Sequence, residues 1–307
     1  MNSSSASFFF SLPDALVFHL TGRDCSRYLH ARVSNNVREL PPLAGCAAAA
    51  LNPQGRTELF GTVLKISAEE FYVVCDGGTP GEVTPALLRY KVADRVECIL
   101  KEDLKLLHVT HSPALQEAAP ALYALAGTRE FQILKAGTLT AFTHQRTTVP
   151  GIDVFGPKDE IEQLKAQLEN RGVFPLDASQ QLVERIKAHR PGFPSELNDQ
   201  GIFLESGLGH AVSFTKGCYV GQEVIEKVDS HGRLPFSLVS LVSSTAVSSA
   251  PVPESAVLTA AGTVAGEVVG SAIDTHSGSM FCFARIKTAT ISPDSLFTIE
   301  QQEYRLT

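Results

Sequence analysis

Residues 213–226 read SFTKGCYVGQEVIE. Lys216, Gly217, Cys218, Gly221, Gln222 and Glu223 fall within eight positions, the chain's densest grouping of reactive and conformationally permissive residues. Two phosphate-binding readings fail on spacing. A P-loop requires G-x-x-x-x-G-K-[ST], but three residues separate Gly217 from Gly221, and Glu223 would set a carboxylate against the phosphate. Gly207-Leu208-Gly209 opens a dinucleotide fingerprint whose third glycine position is Val212. Three readings stay open: an active site, a ligand cradle, or a glycine-bracketed strand-to-helix turn.

The chemistry of the run suits the first two. A cation two residues from Cys218 lowers a thiol's pKa and raises its thiolate fraction. Gly217 and Gly221 allow positive φ or a close approach to a ligand. Gln222 offers both donor and acceptor to a heterocycle edge, and Glu223 accepts from paired N–H groups. The following QEVIEKV reads as a helix. A nucleophilic triad would need His210 or His231 folded in. The alternative is a turn with an incidental Lys216 and a buried cysteine.

The 307 residues suggest two or three domains. At 44% hydrophobic and 19% charged, the chain can bury real cores. A net charge of −7 gives no overall attraction for nucleic acid or anionic membrane. The six cysteines form no C-x-x-C and no zinc-type spacing, which suits a reducing cytosol better than a disulfide framework. The N-terminal MNSSSASFFFSLPDALVF lacks the basic residues of a leader, and no apolar run reaches the ~18 residues of a membrane span. The expected location is cytoplasmic.

The pattern along the chain is α+β. A helix is expected over Asp24–Val33 with Asp24 as its cap, then a hairpin turning at Asn52-Pro53-Gln54-Gly55. FYVVCDGG, DRVECIL, LKLLHVTH and GIDVFGP read as strands, and Thr84-Pro85 as the start of a helix running to Tyr90. Amphipathic helices are expected from Lys158 to Arg171 and from Asp177 to His189. After Gly232 only short β-type runs remain, the mark of a small barrel of about 70 residues beginning near Arg233–Pro235. SSTAVSSAPVPES reads as a surface loop within it.

Lys216-Gly217-Cys218-Tyr219-Val220-Gly221-Gln222-Glu223 resembles, at every fixed position, the K-G-C-[FY]-x-G-Q-E signature of the folate-binding YgfZ family, which is related to the glycine-cleavage T-protein, an aminomethyltransferase. Gly22-x-Asp24 with Tyr28-Leu29 and Val33-Ser34-Asn35-Asn36-Val37 resembles the family's N-terminal pattern. Leu51-Asn52-Pro53-Gln54-Gly55-Arg56 is similar to its L-T-P-Q-G-R, and Glu205 matches a glutamate upstream of the signature. The resemblance is weak between about residues 105 and 170.

The resemblance implies a T-protein-like arrangement of three domains around a central tetrahydrofolate cavity, ending in a β-barrel. The expected division is 1–110 and 176–233 for the folate-binding region, 111–175 for a middle α+β domain, and 234–307 for the barrel. It implies an accessory protein that supports synthesis or repair of iron–sulfur proteins, including tRNA-modifying enzymes. Its partners would be iron–sulfur enzymes or assembly factors, with no direct nucleic-acid or membrane contact. Cys218 and Lys216 would form the reactive pair. Gly217, Tyr219, Gly221, Gln222, Glu223, Glu205, Arg56, Asn35 and Arg185 would contact the folate. No metal site is expected.

Two departures separate the chain from the aminomethyltransferases it resembles. Their acidic residue after the first hairpin's glycines corresponds to Phe60, and their R-x-E-x-G glutamate to Lys187 in Arg185-Ile186-Lys187-Ala188-His189. Lys187 is instead a candidate contact for folate's glutamate tail. A folate-dependent one-carbon transferase and a folate-stabilised adaptor remain the alternatives.

Overall fold

Short β-branched and alanine-rich runs build the first sheet. Its order is β3 (Ala44–Leu51), β4 (Thr57–Lys65), β5 (Glu70–Cys75), β2 (Leu16–Thr21) and β6 (Glu97–Leu100), antiparallel throughout. The computed structural model describes residues 7–232 and 234–307. Residues 1–6 of the N-terminal stretch, Arg233 at the expected barrel boundary and the side chain of His231 lie outside that description. Helix α1 (Cys25–Arg32) buries Cys25, Tyr28 and Leu29 against this sheet. Asp24 stands at its cap position, but its carboxylate accepts from the Arg95 amide and caps nothing.

Helix α2 (Pro80–Leu88) corrects the expected start at Thr84-Pro85. The chain has two Thr-Pro pairs, and only the first has a glutamate three residues on. Thr79 and Glu82 close a capping box, and Pro85 is carried inside the helix.

The second sheet runs β11 (Phe174–Pro175), β1 (Phe8–Leu12), β7 (Leu104–Thr110), β10 (Gly151–Pro157), β9 (Leu139–Thr143) and β8 (Ile133–Ala136). Helices α3 (Pro113–Ala118), α4 (Pro120–Tyr123) and α5 (Lys158–Glu169) cover one face through Leu115, Leu122, Ile161, Leu164 and Leu168. β1 and β7 come from the first 110 residues, so the division at 110 does not follow the sheets.

Helix α6 (Ala178–Lys187), capped by Asp177, packs Ile186 onto Leu238 and Phe283 of the C-terminal body. That body is a closed barrel in the order β12 (Phe236–Ala246), β15 (Ser279–Lys287), β14 (Val264–Ile273), β13 (Ala256–Thr259), β16 (Leu296–Ile299) and β17 (Gln302–Leu306). β12 extends into the SSTA stretch expected to be loop. Helix α7 (Gln222–His231) follows the opening run. Among the described residues, no helix is long and apolar enough to cross a membrane.

Candidate ligand-binding cavity

A narrow cavity of about 40 Å³ lies where the two sheets meet the 185–210 segment. The first sheet supplies Ala47, Phe60, Gly61 and Thr62, and the second body supplies Glu130, Phe131, His144 and Arg146. Arg185, Arg190 and His210 complete it from the connecting segment. A wider cleft of about 560 Å³ shares Asp76, Arg146 and Arg185 with this cavity and opens past Phe10, Gly78, Gly192 and Phe193. The cleft has the volume of a small-molecule site, roughly 300–1,000 Å³.

The shared wall is a charge network. Arg146 donates to both oxygens of Asp76 at 2.7 Å and, through Nε, to both oxygens of Asp153 at 2.9 and 2.8 Å. Asp153 also meets Nδ1 of His108 at 2.8 Å and Nδ1 of His144 at 2.9 Å. Burial opposes ionisation of Asp153, but Arg146 and the histidines outweigh it and hold its carboxyl well below the usual range. Asp76 is lowered in the same way, burial again opposing Arg146. Burial dominates at His108 and pushes its pKa down. Asp76 follows β5 of one sheet and Asp153 lies in β10 of the other, so one guanidinium joins the two bodies.

The opening run sits elsewhere. None of Lys216 to Glu223 lines either cavity. The Lys216 side chain is buried, its ammonium donating to the carbonyls of His30 and Val33, the latter at 2.6 Å. It lies 4.8 Å from the Tyr219 ring centroid, and burial pushes its pKa down to about 8. The expectation that Lys216 activates Cys218 therefore changes. This cation is spent on the end of α1, and the thiol in its electrostatic reach is Cys46, which burial pushes up to about 12. Cys218 itself is exposed, whereas Cys25, Cys75 and Cys282 are buried.

Gly221 has φ 86°, and a Cβ there would come within 2.6 Å of the Asn52 carbonyl. The run thus docks on the hairpin turn expected from the sequence, with Gly55 against Val224. Gly217 is exposed and has no neighbour at its Cβ position. Gln222 accepts from the Tyr219 amide and donates to Glu226, and Glu223 is exposed on α7. Tyr219 is buried.

Of the remaining candidates, Arg185 borders both of these cavities and pairs with Glu196, while Glu205 lines a separate small cavity against the barrel. Glu205 is buried and accepts from Arg285 Nε of the barrel at 3.0 Å. Arg56 is exposed and donates to the Asp199 carbonyl at 2.8 Å. Asn35 donates to the carbonyls of Ala47 and His210, locking the end of α1 to β3. Lys187, a candidate for a folate tail, instead bonds Glu184 and Asp274, each at 3.0 Å, and docks α6 on the barrel. The structure therefore disperses most of these residues over the supports of the cavity.

Sequence reasoning passed over Asp76, Glu130, His144, Arg146, Asp153 and Arg190. One signal was available for Asp153. A carboxylate in the apolar run GIDVFGP needs a cation once that strand is buried on both faces, as β10 is. Arg146 stands seven residues upstream.

No protein-family model matches the chain. A Bartonella henselae glycine cleavage system aminomethyltransferase T superposes with a TM-score of 0.85 at 13% identity, over 98% of this chain and 85% of that one. The chain therefore has the aminomethyltransferase T fold. It is 24% identical over 234 residues to an aminomethyltransferase of Chromobacterium violaceum, covering 73% of this chain and 63% of that relative. It is 22% identical over 232 residues to an uncharacterized protein of Haemophilus influenzae, covering 73% of this chain and 69% of that relative. The matched span is thus about two thirds of these relatives' length.

Proposed function

We propose that the protein binds a tetrahydrofolate and acts as an accessory factor for iron–sulfur enzymes, including those that modify tRNA, without transferring an aminomethyl group. The observation that carries this reading is Phe60 on the wall of the inner cavity. In the aminomethyltransferases that the sequence resembles, this position is acidic and serves the folate-bound amine. A phenyl ring keeps the apolar wall and removes the proton acceptor. The lining suits the group: Phe60 and Phe131 are apolar, Glu130 can accept from ring N–H groups, and Arg185 can meet a carboxylate of the tail. When bound, a tetrahydrofolate would supply a one-carbon carrier. Cys218 is the exposed thiol available to a protein partner.

Calorimetric titration with tetrahydrofolate tests the ligand, and absence of both heat and thermal shift refutes it. Cys218→Ala should fold normally and fail to complement a strain lacking the protein. Full complementation removes the role of the thiol. A second reading, one-carbon transfer, is favoured by Glu130, a carboxylate on the same cavity with no ion-pair partner among the described residues. Turnover of tetrahydrofolate with an amine donor at saturating folate would establish it.

A further inference from the structure

Three guanidinium groups line the inner cavity, and two are neutralised. Arg146 lies between Asp76 and Asp153, and Arg185 pairs with Glu196. Arg190 differs. Its Nε is buried with no hydrogen-bond partner, and no ion pair forms on its guanidinium among the described residues. Its backbone is fixed independently of the side chain, the amide donating to the Arg185 carbonyl at 2.8 Å and the carbonyl accepting from Arg185 Nε at 3.1 Å. Glu130, an exposed residue at the mouth of the same cavity, accepts a long 3.4 Å contact from the Gln145 amide.

An unmatched buried donor is expensive unless a ligand or water completes it. The cavity of about 40 Å³ has room for a few atoms, so it admits the polar edge of a ring and not a whole ring. Arg190 presents donors and Glu130 an acceptor, and the two are not within ion-pair distance of each other. A cyclic amide edge, carrying a carbonyl oxygen beside an N–H or amino group, is the complement of that arrangement.

We propose that Arg190 reads the 4-oxo oxygen of a bound pteridine, with Glu130 accepting from its N3–H and 2-amino groups, so that the site selects 4-oxo over 4-amino pteridines. This rests on the folate reading above and specifies which end of the molecule enters the inner cavity. Lys187, the side chain that stands in for the transferases' glutamate, faces the barrel and takes no part.

Folic acid carries a 4-oxo group beside N3–H, and aminopterin a 4-amino group beside an unprotonated N3, so titrating the full chain with each tests the whole amide edge, and the Arg190 variants separate the oxo contact from that of Glu130. Wild type should bind folic acid roughly 10- to 100-fold tighter, the range of a hydrogen bond to a charged group. Arg190→Met should reduce that preference by weakening folic acid while leaving aminopterin within about threefold. Its thermal midpoint should stay near wild type, since the Nε that it removes is buried without a partner. Arg190→Lys should keep part of the preference. An unchanged preference in Arg190→Met, or an equal loss for both ligands, overturns the assignment, the latter placing Arg190 on the shared glutamate tail. Failure of wild type to bind either compound overturns this inference together with the folate reading.

Discussion

Arg146 and Asp153 meet through Nε, 2.9 and 2.8 Å from the two carboxylate oxygens, and through Nη2 at 2.7 Å, on a carboxylate with no solvent exposure. The same guanidinium holds Asp76 of the neighbouring sheet. Removing the cation strands two carboxylates at a junction. Arg146→Met should therefore cost about 3–5 kcal/mol in urea denaturation, as loss of one partner of a buried pair does. Arg146→Lys should recover only part, because an ammonium cannot span both carboxylates in the same fork.

Acid should unfold the protein in two stages. His30, His108, His111, His189 and His210 are all held below the usual imidazole range, burial being the largest cause at each. The unfolded chain takes up these protons first. Their contribution is complete above about pH 6.5 and declines as pH falls below it. Asp76 and Asp153 are depressed carboxylates, so theirs is complete above about pH 4 and is lost below. Urea midpoints measured from pH 7.5 to pH 3 should show both declines. A flat profile down to pH 4 contradicts the histidine stage.

The two glycines of the opening run should respond differently. Gly221→Ala forces a side chain into the left-handed region and against the Asn52 carbonyl, and should cost about 1–3 kcal/mol or more. Gly217 lies outside that region with open space beside it, so Gly217→Ala should leave the thermal midpoint nearly unchanged. Differential scanning calorimetry of the pair separates the structural glycine from the accessible one.

Lys216 and Cys218 should likewise part company. Lys216→Met leaves two buried carbonyl acceptors without their donor and should destabilise by about 1–3 kcal/mol. Cys218→Ala changes an exposed side chain and should stay within about 0.5 kcal/mol of wild type. Equal destabilisation of the two variants would show that the loop is one packed unit.

Glu205 and Arg285 hold the barrel to the segment that precedes the opening run, one buried and the other partly so. A double-mutant cycle with Glu205→Gln and Arg285→Met should return a coupling of about 0.5–3 kcal/mol. A coupling near zero would leave the docking of the barrel to Ile186, Leu238 and Phe283 with the Lys187–Asp274 pair.

The parts readable in the sequence were those set by local pattern. Alternation and turn residues marked β3, β4 and the barrel strands, and the Lys158 and Asp177 helices followed from their spacing. The dense run drew attention for good chemical reasons, yet adjacency in sequence did not make Lys216 and Cys218 adjacent in role. A loop keeps no fixed side-chain period, and here Lys216 is buried while Cys218, two residues on, is exposed. The cavity was hidden because Asp76, Glu130, Arg146, Asp153 and Arg190 come from separate segments, and only the pairing of β7 with β10 and the packing of two sheets bring them together. The two Thr-Pro pairs show a finer limit: choosing between them required weighing Glu82.

The barrel closes on itself through β12 and β17, so it offers no free strand to a misfolded neighbour. Strand addition is left to the edges of the two open sheets, β3 and β6 in the first and β11 and β8 in the second, and of these β6 is four residues long and includes Glu97. A strand so short and charged templates poorly. Ile99, 45% exposed, is the position where a lysine should raise the concentration at which this protein stays in solution.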